Sequence, residues 1–598
     1  MPEFKPSTVV RGLAALVLSA ACLAAAPAHA TREGTGAEVL EPANSLEGNY
    51  LAAYIAGAAR DTAAAVTFYR EAIKADPRNA ELLERAFVAF LADGAMPEAF
   101  RAAERLVARD GTNGLAQLVL GVRAIKARQY AAARTHLSKG GRGRQADLTA
   151  TLLTAWAHAG AGEGKKALEA IERLKNERAF TLFRDYHAGL IADLTGNAAE
   201  AERRLKAAYE AERNTLRVVD AYARFEAKRG NRDRAVEVYK AFDAVLPRHP
   251  VVRDALARLE SGKPLAPFVT NAQEGAAEVL YGLGAAGSSS GDELPALIYL
   301  RLGLHVEPEH PMALVTLADA YERLKQLDRA IEVFSRVPKD SPLRASADIA
   351  IGTNLEQLNR GAEAVAHLEQ LMKERPDDIE VIMALGNVLR SRKEYGRAAE
   401  VYTRAVERIG TPDRGHWVLF FYRGTSYERA KQWDKAEADL KKALELVPET
   451  LTNGRAQVLN YLAYSWVDMG INIDEAFKML QRAVELAPRD GMIIDSLGWA
   501  FYRLGRYDDA VRELEKAVEL KPGDPTINDH LGDAYWRVGR RLEARFQWDH
   551  AKASDPEHEE LVKILKKIDN GLEDEPKPAA AENAPAATPP AGPAKNGG

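Results

Sequence analysis

The chain has 598 residues, far more than one compact globular core accommodates, so several domains or a repeat architecture are expected. Hydrophobic residues make up 46% of it and charged residues 28%, which is typical of a soluble helical protein and excludes a collagen-like or wholly disordered chain. The formal net charge of −5 is small for this length and counts against a general nucleic-acid binder.

Residues 1–30 have the features of a signal peptide. Lys5 and Arg11 give a basic start, Leu13–Ala26 is an apolar run, and Ala28-His29-Ala30 supplies small residues before a cleavage point. The apolar run is shorter than a membrane-spanning helix requires. We therefore expect cleavage after Ala30 and export of the mature chain to the periplasm.

The only cysteine of the chain, Cys22, lies in this segment and offers an alternative. The residues before it, 18–21, form a loose lipobox in which Ser19 stands where leucine is expected. Lipidation of Cys22 would associate the chain with the outer membrane. Cleavage after Ala30 would instead leave a mature chain without cysteine, whose stability comes from packing and not from disulfides.

A helical repeat pattern follows a lead segment at residues 31–45. Alanine recurs every 34 residues, at Ala65, Ala99, Ala133, Ala167, Ala201 and Ala235. A fixed period of this size indicates a solenoid, in which no unit can bury its apolar face alone and each unit stacks on the next. The spacing therefore predicts an N-terminal superhelix over residues 46–258.

The 34-residue spacing of the alanines is interrupted after Ala235 and then resumes. The interval from Ala235 to Ala296 is 61 residues, and its excess contains Pro264 and Pro267, which a helix interior does not accommodate. We predict a linker at 259–273, a C-terminal superhelix at 274–556 and a capping helix at 557–572 with its apolar residues on one face. The Pro- and Ala-rich tail at 573–598 is predicted to be disordered.

The clearest repeats lie between Asn460 and Pro556. Leu497-Gly498 returns 34 residues later as Leu531-Gly532, and proline recurs at the same interval at the end of each unit. The small residues let two helices approach closely, large residues fill the gap, and the proline ends the second helix. This pattern resembles the tetratricopeptide repeat, a helix-turn-helix unit. The resemblance implies an all-α, right-handed superhelical solenoid of about fourteen repeats.

Two segments match the sequences of enzyme motifs but lack the structural context that those motifs require. Gly287–Gly291 has the letters of a hydrolase nucleophile elbow and Gly282–Gly287 those of a dinucleotide fingerprint, but both signatures require a preceding strand. We interpret the first as a flexible turn between repeat helices and the second as small residues at a helix contact. The histidines lack a convergent ligand set, so no metal or cofactor is expected, and the protein is predicted not to be an enzyme.

The repeat resemblance also implies a binding surface. In such repeats the first helix of each unit lines a concave groove, and the register of the leucine-glycine pair assigns the inward positions. Aromatic rings beside arginines and carboxylates are typical of surfaces that hold a peptide or partner segment. The alternative is that Trp499 and Trp536 pack against the next helix and show only their edges. The positions are Asn460, Tyr464, Asp468, Asp495, Trp499, Tyr502, Arg503, Asp529, Asp533, Trp536 and Arg537.

The C-terminal repeats resemble, more particularly, envelope repeat proteins of proteobacteria. The motifs are Asn460–Trp466, Asp495–Trp499 and His530–Trp536. That group includes an outer-membrane lipoprotein adaptor that binds a carboxyl-terminal processing protease and brings cell-wall hydrolases to it.

The resemblance implies a non-catalytic periplasmic adaptor that presents protein substrates or partners to an envelope protease or cell-wall enzyme. A scaffold of polysaccharide export or outer-membrane assembly is the alternative. The expected partners are proteins or peptides, with no nucleic acid, and with membrane contact only through a lipid anchor.

Overall fold

The computed structural model describes residues 45–140, 144–174 and 177–572, without the side chains of 144–147. Throughout these ranges the regular structure is helical and no strand is present, so the all-α prediction is confirmed. The predicted signal peptide, Cys22, the lead segment up to residue 44 and the tail from residue 573 lie outside the described residues.

The chain divides into two compact units, the first ending at Leu371 and the second beginning at Met372. The helices of the first unit are α1 (Leu46–Ala58), α2 (Thr62–Ala75), α3 (Ala80–Asp93), α4 (Met96–Arg109), α5 (Gly114–Lys126), α6 (Tyr130–Lys139), α7 (Arg144–Gly160), α8 (Gly164–Ile171), α9 (Thr181–Leu194), α10 (Ala198–Ala211), α11 (Leu216–Lys228), α12 (Arg232–Asp243), α13 (Pro250–Glu260), α14 (Ala272–Ser290), α15 (Glu293–Val306), α16 (Pro311–Arg323), α17 (Leu327–Ser335), α18 (Arg344–Gln357) and α19 (Gly361–Glu374), whose last residues cross the division.

The helices of the second unit are α20 (Ile379–Ser391), α21 (Tyr395–Arg408), α22 (Trp417–Arg429), α23 (Trp433–Leu446), α24 (Thr452–Met469), α25 (Ile473–Leu486), α26 (Gly491–Arg503), α27 (Tyr507–Leu520), α28 (Pro525–Arg537), α29 (Arg541–Ala553) and α30 (His558–Asn570). Apart from α13 and α30, the described helices form fourteen consecutive pairs, which agrees with the predicted number of repeats.

The ends of the helices follow from local chemistry. Before α28, the carboxylate of Asp524 accepts hydrogen bonds from the backbone N–H groups of Thr526 and Ile527, and Pro525 occupies the first helical position. After α26, Gly505 adopts a left-handed backbone with φ of 73°, which turns the chain into α27. The proline, the cap and the glycine therefore set the limits of these helices.

Within a pair, the two helices meet where the first has a glycine and the second has a large residue sixteen positions later. A Cβ on Gly498 would lie 2.6 Å from the side chain of Leu514, so only hydrogen fits between them. The other pairs of this kind are Gly121–Leu137, Gly189–Leu205, Gly284–Leu300, Gly352–Leu368, Gly386–Tyr402, Gly424–Leu440 and Gly532–Trp548.

Successive first helices also contact one another, as α24, α26 and α28 do in the second unit and α5, α7 and α9 do in the first. Among the described helices, contacts between successive second helices are much sparser. Helices on the inside of a curve approach more closely than those on its outside. The first helices therefore line the inner side of each unit, which is called its inner face below.

The inner face of the first unit is filled by its own chain. Helix α15 packs against α3 and α5, and α14 packs against α5, α7 and α9, all of them first helices of pairs. The non-helical stretch before α14 falls within the predicted linker at 259–273, but the helices on both sides of it belong to the first unit. A division into superhelical halves at this linker therefore stays a prediction.

A buried ion cluster fixes α14 in this position. The Glu278 carboxylate accepts hydrogen bonds from the Tyr186 hydroxyl at 2.8 Å and from Arg217 Nε and Nη2 at 3.0 and 2.6 Å, and it lies 3.3 Å from His310 Nε2. Burial alone would raise the pKa of Glu278, but Arg217 and His310 hold it well below its usual range. Glu278 therefore stays ionised, and its carboxylate is held by groups from Tyr186, Arg217 and His310.

Replacing Gly498 with alanine is expected to destabilise the second unit by roughly 1–3 kcal/mol, because the added methyl group forces Leu514 out of its rotamer. The matched control is Gly523→Ala, since a Cβ there meets no atom within 4 Å. Hydrogen–deuterium exchange of the α26 amides in the full chain measures both effects. Equal protection in the two variants would contradict the close packing described for this pair.

Replacing Arg217 with methionine leaves Glu278 buried without its main countercharge. We expect the opening free energy of α14 to fall by about 3–5 kcal/mol, measured by hydrogen exchange of its amides. Arg258→Met is the control, because Arg258 pairs with Asp254 at the surface and such pairs contribute at most about 1 kcal/mol. Unchanged α14 exchange in the Arg217 variant would show that the cluster does not hold this helix.

Candidate functional site

The structure places all eleven predicted groove residues on α24, α26 and α28, the first helices of three consecutive pairs. They lie along the inner face of the second unit, but they differ in exposure. Asp468 and Arg503 are exposed, whereas Asp495 and Asp533 are only 3% and 5% exposed. The other seven residues are half-buried. The exposed charges of Asp468 and Arg503 therefore border a central strip, which consists of the half-buried residues Asn460, Tyr464, Trp499, Tyr502, Asp529, Trp536 and Arg537.

An aromatic stack forms the centre of this strip. The Trp499 ring lies between Tyr502, with centroids 4.7 Å apart and planes at 6°, and His530, at 4.1 Å and 14°. Arg537 Nε donates a hydrogen bond to the Tyr502 hydroxyl at 3.2 Å. Trp499 thus packs against the next first helix, as the packing alternative expected, and it still remains partly accessible. The stack gives the strip a rigid apolar surface with polar edges.

His530 and Asp495 form a buried pair beneath this stack. His530 Nδ1 lies 3.0 and 3.1 Å from the two carboxylate oxygens of Asp495. Burial opposes protonation of the ring, but the Asp495 carboxylate outweighs it and raises the pKa of His530. The repeat register assigned no role to His530. The 35-residue spacing from Asp495 places the two on neighbouring first helices, but many other residues share that spacing.

Asp533 is held by groups from two further helices. Trp548 Nε1 on α29 donates to Asp533 Oδ1 at 2.9 Å, and Lys567 Nζ on α30 lies 2.8 Å from Oδ2 and 2.7 Å from Asp529 Oδ2. Burial, with the nearby Asp529 carboxylate, raises the pKa of Asp533 to about 6 despite Lys567. The repeat register could not identify Lys567, because α30 lies outside the repeats.

Three buried polar atoms of the inner face have no hydrogen-bond partner among the described residues. They are Asn460 Oδ1, Trp499 Nε1 and Asp529 Oδ1, one on each of the three first helices. A buried polar atom that is left unpaired costs on the order of 1–3 kcal/mol. One of the three is a donor and two are acceptors, and a peptide backbone offers both kinds of group.

The two enzyme-like segments lie at a helix contact. Gly287–Ser290 form the last turn of α14, so the flexible-turn interpretation was wrong, and Ser289 Oγ donates to the Ala286 carbonyl at 2.9 Å. The turn prediction failed because α14 has 19 residues and is longer than an ordinary repeat helix. Gly284 and Gly287 face Leu300 and Ala296 of α15, which agrees with the interpretation of the dinucleotide-like letters.

None of the described helices is both long and apolar enough to cross a membrane. In the same residues, no group of three or more His, Cys, Asp and Glu side chains has the arrangement of a metal site.

The paired helices and the 34-residue spacing define this chain as an α-solenoid repeat protein. Models of the tetratricopeptide repeat match residues 46–79, 296–345, 349–413 and 417–450, and a further TPR repeat model matches 498–539. These matches show that the chain contains tetratricopeptide repeats in both units.

Similar proteins come from distant organisms. A TPR repeat-containing protein of Pseudomonas aeruginosa is 24% identical over 186 residues, which cover 31% of this chain and 30% of that protein. Anaphase-promoting complex subunit 3 of Schizosaccharomyces pombe is 22% identical over 203 residues, 33% of this chain and 28% of the other. The chain thus spans less than a third of either relative. The solved APC/C hetero-tetramer Cut9–Hcn1 is 15% identical with a TM-score of 0.36, covering 82% of this chain and 96% of the other.

The buried pair makes the stability of the second unit depend on pH. The pKa of His530 is higher in the folded chain than in the unfolded chain, so the folded state binds more protons near neutrality. We expect the free energy of unfolding to fall as pH rises from about 6.5 through the raised pKa.

His530→Gln should abolish most of the fall in unfolding free energy with rising pH. His550→Gln, at an exposed position of α29, should leave that fall unchanged. Denaturant titrations of the full chain between pH 6 and 9 measure both. An identical pH dependence in the wild type and the His530 variant would show that the pair is not ionised as described.

Proposed function

We propose that this protein is a non-catalytic scaffold that holds a segment of another protein on the inner face of the second unit. The tetratricopeptide repeat fold is consistent with a protein–protein interaction scaffold. The main support is the combination, on one face, of the Trp499 stack, the exposed charges of Asp468 and Arg503 and the three unpaired polar atoms. Rigid aromatic rings bordered by charges are the typical composition of binding hot spots.

The second unit is favoured over the first because of what covers each inner face. In the first unit, α14 and α15 pack along the first helices, and the Glu278 cluster holds α14 there. A peptide could bind there only by displacing two packed helices and a compensated buried charge. In the second unit, Asp468 and Arg503 remain exposed on the same helices as the aromatic stack.

The cellular role is part of the same proposal. Export to the periplasm is supported by the basic start, apolar run and small residues of positions 1–30, with lipidation of Cys22 as the alternative anchor. The motif similarity of residues 460–556 to envelope repeat proteins supports an adaptor for a carboxyl-terminal processing protease or a cell-wall enzyme. A scaffold of polysaccharide export or outer-membrane assembly would use the same face with different partners.

The test is affinity capture of the mature chain, residues 31–598, from an envelope extract of its own bacterium, followed by mass spectrometry. Arg503→Glu and Arg537→Glu should each reduce capture of the specific partner about tenfold or more, because both arginines border the stack. The matched control is Arg482→Glu on the second helix α25, where the arginine pairs with Glu485 at the surface. The control should capture as the wild type does.

The captured proteins distinguish the alternatives. A processing protease or a cell-wall hydrolase supports the adaptor role, and an export or assembly component supports the second role. Equal capture by the two arginine variants and the control would contradict binding at this face. The mass of the native N-terminus separates cleavage after Ala30 from acylation at Cys22.

A further inference from the structure

The last described helix, α30, crosses the inner face of the second unit. At its start, Glu557 lies 2.7 Å from Lys393 Nζ, in the turn between α20 and α21. At its end, Lys567 reaches α28. The 13 residues of α30 span about 20 Å, so the helix runs in front of α24 and α26 toward α28.

The apolar side of α30 rests on the aromatic strip. Ile564 is 1% exposed and belongs to the core cluster that residues of α23 to α29 form. Ile568 and Leu572 pack against the same cluster, as do Trp499 and Trp536. The backbone at Gly571 lies on the Trp536 ring, so closely that a side chain there would collide with it. An amphipathic helix therefore already occupies part of the predicted groove.

One cation anchors this helix. Lys567 Nζ sits between the carboxylates of Asp529 and Asp533, at 2.7 and 2.8 Å, and its side chain is 17% exposed. Asp533 is buried, and two neighbouring carboxylates repel each other unless a cation lies between them. Asp529 Oδ1 still lacks a partner among the described residues. The acidic pair thus selects a helix that places a cationic side chain at this point and disfavours one that places a carboxylate there.

The rest of α30 is weakly held. Ile564 is its only fully buried residue, whereas α28 has eight. The Lys393–Glu557 ion pair is exposed on both sides, and exposed pairs contribute at most about 1 kcal/mol. Burial of one large apolar side chain and one anchored lysine is modest compared with the packing of α28. The contacts therefore allow α30 to leave while the repeats stay folded.

We propose that α30 is a displaceable occupant of the inner face, and that the protein partner enters as an amphipathic helix whose lysine takes the place of Lys567 between Asp529 and Asp533. This inference rests on the proposed function and adds the chemistry of the partner. The partner helix carries apolar residues four positions apart, as Ile564 and Ile568 are, with the lysine beside them. Because α30 is attached to the same chain, it competes at a high effective concentration and weakens partner binding until it is released.

The probe is a fluorescent synthetic peptide with the sequence of residues 557–572, titrated against the full chain. Wild-type chain should bind it weakly, because its own α30 occupies the face. A chain carrying Ile564→Ser and Lys567→Glu, called the loosened chain below, should bind the peptide at least tenfold more tightly, because its own α30 no longer competes. A control peptide with Lys567→Glu should not bind, and adding Asp529→Lys to the loosened chain should abolish binding of the first peptide.

Two results would overturn the proposal. One is peptide binding that is no tighter in the loosened chain than in the wild type, or that is equal for the control peptide. The other comes from the unmodified chain: the α30 amides should exchange with deuterium at least about 100-fold faster than those of α28, and equal protection would show that α30 does not leave.

The same variants separate this proposal from the proposed function. If envelope partners are captured equally by the wild type and the loosened chain, the scaffold role stands, and the proposed replacement of α30 by a partner helix is wrong. If the peptide binds as expected but no partner is captured, the helix site stands and the scaffold role is wrong.

Discussion

The close approach of two helices at a glycine is the contact on which this structure depends. At Gly498 and Leu514, and at seven other places with the same sixteen-residue offset, the second helix comes within 3.1 Å of the point where a Cβ on the glycine would lie. A pair closed in this way is too thin to bury both of its faces, so it must stack on the next pair. Stacking brings successive first helices together, and the inner face follows from that geometry.

In both units, part of the chain covers the inner face and ion pairs hold it there, but the extent of the cover differs. In the first unit, a whole helical hairpin covers the face, and the Glu278 carboxylate is bound by groups from α9, α11 and α16. In the second unit, a single short helix covers part of the face and one lysine anchors it. Buried ion pairs add little net stability, but they penalise any arrangement that leaves a charge unpaired. They therefore determine which segment may lie on each face.

The sequence predicted the features that repeat. The 34-residue period gave the all-α architecture and the number of helix pairs, and the leucine-glycine register placed the eleven candidate residues on a single face. It could not give the contacts that break the period. Lys567 lies beyond the last repeat, α14 is longer than a repeat helix, and His530 pairs with Asp495 at a spacing shared by many residues. Such contacts depend on how the pairs curve, which a local pattern does not encode.

The most direct test of a partner on the inner face of the second unit is site-specific photo-crosslinking in the native cell. Positions 468 and 503 are exposed on the first helices α24 and α26, whereas position 485 is exposed on the second helix α25. We expect one discrete protein adduct from positions 503 and 468 and none from 485. Adducts from 485 alone, or the same adducts from all three positions, would contradict this expectation.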